Sequence, residues 1–158
     1  MRIHQLTENT DNIIDNKEGW GNVPDNSNVD YMGLRVMMKP STFLKLAAPL
    51  SEPTSSENIQ NHLASGGTIG SPFLIINVPV EWADEDYNTP AKVSAHEGRN
   101  RMIAVKNLYG DTPIETHLFF RGGINRNRHI NNQIIQQLQN NIYSEKSKTL
   151  INGPLFTV

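Results

Sequence analysis

The chain has no cysteine among its 158 residues. Disulfides, thiolate metal sites and cysteine nucleophiles are therefore excluded, and the composition suits a reducing compartment. No apolar run approaches the ~20 residues that a membrane helix needs. The opening segment MRIHQLTENTDN has no apolar stretch of the kind a signal peptide carries. A cytoplasmic protein that engages no membrane is the expectation. Neither sign of charge dominates: 14 Lys and Arg stand against 16 Asp and Glu, a net charge of −2, which argues against a general nucleic-acid coat protein. Hydrophobic residues make up 37% and charged residues 19%, enough for a packed core and too apolar for a disordered chain. One domain covering residues 1–158 follows from that length.

Residues 7–30 are dense in Asn, Asp and Gly and read as a long loop, with a turn of helix around Ile13 and Ile14 and Trp20 as an anchor between two glycines. Ahead of it, Met1 to Leu6 reads as a short edge strand. YMGLRVMM, from Tyr31, reads as a strand. PSTFLKLAAPL follows as a helix that places Phe43, Leu44 and Ala47 on one face and stops at Pro49. A second helix is expected from Ser56 to Ser65, begun by Ser55 or Ser56 and ended by Gly66 and Gly67. Phe73 to Val78 is a fully apolar strand, and EWADEDYNTP an acidic connection to the next strand, Ala91 to Ala95. After Gly98 comes a helix that sets Met102, Val105 and Tyr109 on one buried face and stops at Gly110. Pro113 to Phe120 reads as a strand, RGGINRNRH as a basic loop and Asn132 to Tyr143 as an amphipathic helix with Ile134, Ile135, Leu138 and Ile142 inward. A turn at Asn152-Gly153-Pro154 precedes the last apolar pair. The pattern implies a single small domain of the α/β (α+β) class, a mixed sheet flanked by helices.

The stretch His-Glu-Gly-Arg-Asn-Arg, His96 to Arg101, lies between a strand and a helix. The first turn of a helix has N–H groups with no intrahelical acceptor, and the helix dipole adds partial positive charge there. Gly98 lets the backbone approach a ligand or adopt a positive φ. Arg99 and Arg101 supply forked donors suited to phosphate or carboxylate. His96 and Glu97, at the strand end, are placed for proton transfer or ribose contacts. A structural reading stands beside this one: arginines in a first turn are often solvated, or paired here with Asp84, Glu85 or Asp86.

AHEGRNRMIAVKNLYGDTPIETHLFF resembles the signature segment of the ParB/sulfiredoxin-like superfamily, in which a strand ends in a Gly-x-x-Arg turn and the following helix runs to a glycine. Gly98 and Arg101 match that glycine and arginine, and Glu97 matches the acidic residue many members carry before it. The similarity covers residues 73–120. YMGLRVMMKPSTFLKLA and GTIGSPFLIINVP are similar to segments of phage-encoded proteins with a His-Glu-Gly-Arg-His-Arg version of the turn, which implies host cytoplasm as the location. The resemblance implies a ParB/sulfiredoxin-like core that binds the phosphates of a nucleotide, ATP or CTP, with Mg²⁺ arriving on the phosphates. It also implies NTP hydrolysis or phosphoryl transfer, with Glu97 or His96 as base and Gly98, Arg99, Asn100 and Arg101 on the ligand. Arg99 stands where sulfiredoxins carry their catalytic cysteine, which excludes that reductase chemistry. Asn100 replaces the usual histidine or arginine. No second helix in residues 121–158 completes a helix-turn-helix, so a chromosome-partitioning role is not expected.

Other clusters are less pointed. His96-Glu97 begins like a zinc-protease helix, but position 100 is Asn rather than the second histidine, and His4, His62, His117 and His129 have no ligand spacing; no metal site made of side chains is expected. His117, in an apolar strand, reads as a satisfied core residue. Trp20 and Trp82 read as buried anchors or rim residues. Arg121, Arg126 and Arg128 form the most basic stretch and could close over a phosphate or touch a nucleic-acid backbone, although no aromatic is interleaved there to stack bases. Two rival functions follow: a non-catalytic phage interaction protein that binds and inhibits a host defence enzyme, and a nucleic-acid-binding accessory using Arg121 to Arg128.

Overall fold

The computed structural model describes residues 12–17, 19–21, 32–47, 56–122 and 132–158. The expected strand at Met1 to Leu6, the stop at Pro49, and Arg126 and Arg128 lie outside these residues. Among the described residues, seven strands and four α-helices follow one another as β1 (Met32–Met38), α1 (Pro40–Leu46), α2 (Glu57–Ala64), β2 (Phe73–Val78), β3 (Ala91–Glu97), α3 (Arg99–Tyr109), β4 (Ile114–Gly122), α4 (Asn132–Asn140), β5 (Ile142–Ser144), β6 (Thr149–Ile151) and β7 (Phe156–Thr157). The strands form one mixed sheet in the order β6-β5-β3-β2-β4-β1-β7. β2 runs parallel to β4 and β3 parallel to β5, and the other pairs are antiparallel. This is an α+β domain.

The apolar run of β2 reflects its central place. Leu74, Ile76 and Val78 join Leu118 and Phe120 of β4 in the main core, where they pack with Phe43, Leu63, Met102, Val105 and Leu138 of the four helices. Phe73 and Ile75 point the other way and form a second cluster with Phe119, whose ring meets Phe73 edge-on at 5.6 Å. A strand buried on both faces needs no polar alternation.

Three segments depart from what their sequence leads one to expect. The acidic connection after β2 contains a short 3-10 helix, Val80–Asp84, that buries Trp82, and the indole N–H donates to the Thr89 carbonyl at 2.8 Å. The helical turn expected around Ile13 and Ile14 reaches only Asn12, in 3-10 conformation; Ile14 itself makes a parallel bridge to Ile69, as does Trp20. The last amphipathic helix stops at Asn140 rather than Tyr143. The side-chain amide of Asn141 donates to the Tyr87 carbonyl at 2.9 Å, its own carbonyl accepts from the Ala91 amide at 3.1 Å, and Ile142 pairs with Ala91 in the sheet. Sheet pairing has captured an apolar residue that also satisfied the helical period.

Candidate functional site

The register of β3 against β2 decides which side chains reach the helix side of the sheet. Ile75 pairs with Ala95 but Ile76 with Val93, so Ser94 is an extra residue in β3. Its hydroxyl donates to the Ile75 carbonyl at 3.3 Å. Directly paired residues share a face. The bulge therefore places His96 opposite Leu74, on the core side, although it lies an odd number of residues beyond core-facing Val93. Without the extra residue His96 would project from the other face. The strand also runs two residues further than its apolar pattern, so that His96 and Glu97 are its last members.

Gly98 turns the chain into α3 with φ 102° and ψ 19°, a left-handed conformation costly for residues with a Cβ. A Cβ there would also stand 2.8 Å from the Pro72 Cβ and 3.0 Å from Nη2 of Arg101. The first amide of α3 to bond within the helix is that of Met102, which donates to the Gly98 carbonyl at 2.9 Å, and no side chain caps the helix. The mouth of α3 opens into a cavity of about 410 Å³ lined by Trp20, Gly21, Asn58 and Ile59 together with the whole run His96 to Arg101. Asn58 and Ile59 belong to the first turn of α2, which likewise has no side-chain cap. The Ser56 hydroxyl at its start accepts instead from the Gln60 side chain at 2.8 Å. Two helix N-termini thus meet at one hollow.

Arg101 is 4% exposed. Its Nη1 donates to the carbonyls of Gly70 at 2.7 Å and Ser71 at 3.4 Å. A Cβ on Gly21 would come within 2.4 Å of Nη1 and 2.5 Å of Cζ, so the Gly21 backbone lies directly against the guanidinium. The φ of Gly21, 107°, independently calls for glycine. Gly70 closes the same cradle from a third side: a Cβ there would meet the Gly21 carbonyl oxygen at 2.6 Å. Nη2 has no hydrogen bond and stands 3.9 Å from Oε1 of Glu97, whose side chain is 63% exposed. Burial lowers the pKa of Arg101, and the Glu97 charge acts against that. Arg99 adds two buried nitrogens, Nε and Nη1, with no hydrogen-bond partner. Buried polar nitrogens are costly when unpaired. Three of them here belong to two cations that line one hollow.

His96 is half-buried, and its pKa lies below the usual histidine value. Burial is the main cause, the Arg99 charge acts the same way, Glu97 opposes it and Lys146 adds a further lowering. These influences favour the neutral ring, the form able to accept a proton.

The run expected to form the site is therefore together, but its two arginines differ. Arg101 is partly an internal tie, and Arg99 is committed to no hydrogen bond through Nε or Nη1. Neither makes a salt bridge to Asp84, Glu85 or Asp86, which are exposed. Arg121 lies in β4, outside the lining; its Nε donates to Asn77 at 2.8 Å. Trp20, read from the sequence as an anchor or rim residue, is on the cavity wall, whereas Gly21, Asn58 and Ile59 were not foreseen there. The Gly19-Trp20-Gly21 triplet was the available signal, since glycines flanking an aromatic mark a tight backbone approach.

A second polar cluster supports the site from below. The fully buried Ser71 hydroxyl donates to Oε2 of Glu115 at 2.7 Å, the Asn16 amide donates to the same oxygen at 3.2 Å, and the Ser71 amide donates to Oδ1 of Asn16 at 2.7 Å. Nε2 of His117 is 3.4 Å from that carboxylate. Ser71 thus gives its proton to a carboxylate rather than to a histidine, so this is no nucleophile arrangement. It ties the 12–21 segment to β4. Among the described residues no group of three or more His, Asp or Glu side chains is placed to hold a metal ion, and no helix is long and apolar enough to cross a membrane. No protein-family model, no curated protein and no solved structure matches the chain.

Proposed function

We propose that the protein binds a phosphate-bearing ligand, a nucleotide such as ATP or CTP, with its phosphates at the mouth of α3 against Gly98, Arg99 and Arg101. One observation carries this reading. The Arg101 guanidinium is held almost wholly out of water, yet its Nη2 has no hydrogen bond, and the residue borders the cavity beside an uncapped helix N-terminus. An anion in that hollow would take up Nη2, the two idle nitrogens of Arg99 and the backbone amides of the first turn together. The likeness to the ParB/sulfiredoxin-like segment supports the choice of nucleotide over other anions. For NTP hydrolysis or phosphoryl transfer, His96 or Glu97 would serve as base on the attacking hydroxyl. Glu97 is the acidic residue among those lining the cavity, so Mg²⁺ would arrive on the phosphates rather than wait in a carboxylate cage.

Thermal unfolding with ATP, CTP and inorganic phosphate, each with and without Mg²⁺, tests this. A ligand at ~100 times its Kd stabilises the fold by about 2.7 kcal/mol. The expected result is a raised Tm with nucleotide that Arg99→Ala abolishes while its own Tm in buffer stays near that of the unaltered protein. A flat panel, or a shift that survives Arg99→Ala, overturns the reading.

A further inference from the structure

We infer that Trp20 is the platform on which the planar ring of the ligand stacks, so that the site prefers a nucleotide to a bare polyphosphate. The inference rests on the phosphate reading above and deepens it. The two tryptophans of the chain differ in what they do. Trp82 is 2% exposed, spends its indole N–H on the Thr89 carbonyl and packs edge-on against Tyr87 at 5.4 Å. Its place in the core explains it fully. Trp20 is 46% exposed and forms part of the cavity wall.

That exposure does not come from a loose backbone. The Trp20 amide donates to the Thr68 carbonyl at 3.1 Å, and its carbonyl accepts from the Gly70 amide at 2.9 Å. The indole is braced by the His62 ring, 5.7 Å away and nearly perpendicular at 79°. His62 is itself fixed: its Nε2 lies 2.8 Å from the Thr68 carbonyl, and its ring fills the space where a Cβ on Gly67 would fall, 2.3 Å from Cε1. A large aromatic surface is thus held still and half in water at the edge of a hollow, which lowers the ordering cost of receiving a ring. The next residue along the chain, Gly21, is the one whose backbone lies against the Arg101 guanidinium. Gly21 thus joins the stacking surface to the cationic floor, and Trp20 and Arg101 line the same cavity. A ligand that uses both needs an aromatic ring and a charged phosphate in one molecule, which is the chemistry of a nucleotide.

The test compares ATP with inorganic tripolyphosphate, both with Mg²⁺, by calorimetric titration of the unaltered protein, Trp20→Ala and Trp20→Phe. Base stacking on an aromatic is worth roughly five- to hundredfold in Kd. ATP should bind tighter than tripolyphosphate by such a factor, Trp20→Ala should collapse the two affinities to the same value, and Trp20→Phe should restore much of the difference. ATP should also quench tryptophan emission in the unaltered protein and leave the emission of Trp20→Phe, which comes from buried Trp82, unchanged. That emission, together with the Tm, verifies that each variant is folded. Equal affinities for ATP and tripolyphosphate in the unaltered protein, or an ATP preference that survives Trp20→Ala, overturns the stacking role and leaves the phosphate site standing. Absence of binding by both compounds overturns the phosphate site and this inference with it.

Discussion

Two helix mouths in this small domain are finished in opposite ways. At the start of α1 the Asp111 carboxylate arrives from the turn after α3 and accepts from the Ser41 amide at 2.8 Å and from its hydroxyl at 2.5 Å. The protein has supplied its own anion to that N-terminus. At the start of α3 no side chain caps the helix, two arginines stand in the first turn, and three of their nitrogens are buried without a hydrogen bond. The same physical need, negative charge at the positive end of a helix dipole, is met by a side chain at one mouth and by none of the described side chains at the other. The difference also separates the roles of the arginines. Arg101 holds the Gly70 and Ser71 carbonyls and belongs as much to the fold as to the site, whereas the Nε and Nη1 of Arg99 have no such use.

The largest effect of a single substitution is expected at Arg101. Arg101→Ala removes a charged hydrogen-bond donor from two buried carbonyls and empties the cradle made by Gly21, Gly70 and Gly98, so urea unfolding should show a loss of roughly 3 kcal/mol. A loss as small as that of a surface substitution would mean that the guanidinium is not a structural tie.

Asp111→Ala removes the anion from the occupied mouth and should cost about 1 kcal/mol, the usual value of a helix cap. Burial alone would raise the Asp111 pKa, but the two hydrogen bonds from Ser41, with help from Lys106 and Lys39, outweigh it and bring the value below the ordinary aspartate range. A carboxylate with a depressed folded pKa stabilises above its unfolded pKa and loses that contribution as pH falls through the folded value. The difference in stability between the unaltered protein and Asp111→Ala should accordingly be constant near neutrality and shrink below about pH 4.

The smallest effect concerns His96. Because burial and Arg99 depress its pKa, its contribution carries no penalty while the ring is neutral in both states, and stability declines as pH falls below about 6.5 toward the folded pKa. An anion seated between His96 and Arg99 would offset the cationic part of that depression. The His96 ring resonances, followed by NMR against pH, should therefore report a higher pKa with phosphate-bearing ligand present than without it; a pKa that stays put or falls would place the ligand elsewhere.

Much of the frame was legible in the chain. The β2 run, the glycine that opens α3, the glycine that closes it and the Met102 and Val105 stripe are local signals, and they came through because each is decided by residues a few positions apart. What was not legible is set by distance along the chain. The cradle of Arg101 joins Gly21, Gly70 and Gly98, and nothing in the neighbourhood of any one of them announces the other two. Burial of Arg101 was hidden for the same reason, since an arginine between Asn100 and Met102 satisfies both an exposed and an anchored reading. The extra residue Ser94, which brings His96 to the core side, leaves an apolar pattern in β3 that still alternates through Ala91, Val93 and Ala95, so the sequence shows no break. Ile142 fitted the helical period and was taken by the sheet.

An anion at the mouth of α3 would register in the amide chemical shifts of uniformly ¹⁵N-labelled protein titrated with ATP and Mg²⁺. Saturable displacement of the Gly98, Arg99, Asn100 and Arg101 amides and of the Arg99 Nε resonance is expected, with Ser41 at the α1 mouth unmoved. Displacements confined to the opposite face of the sheet, around Asn77 and Arg121, or none at all at millimolar ATP, would contradict it.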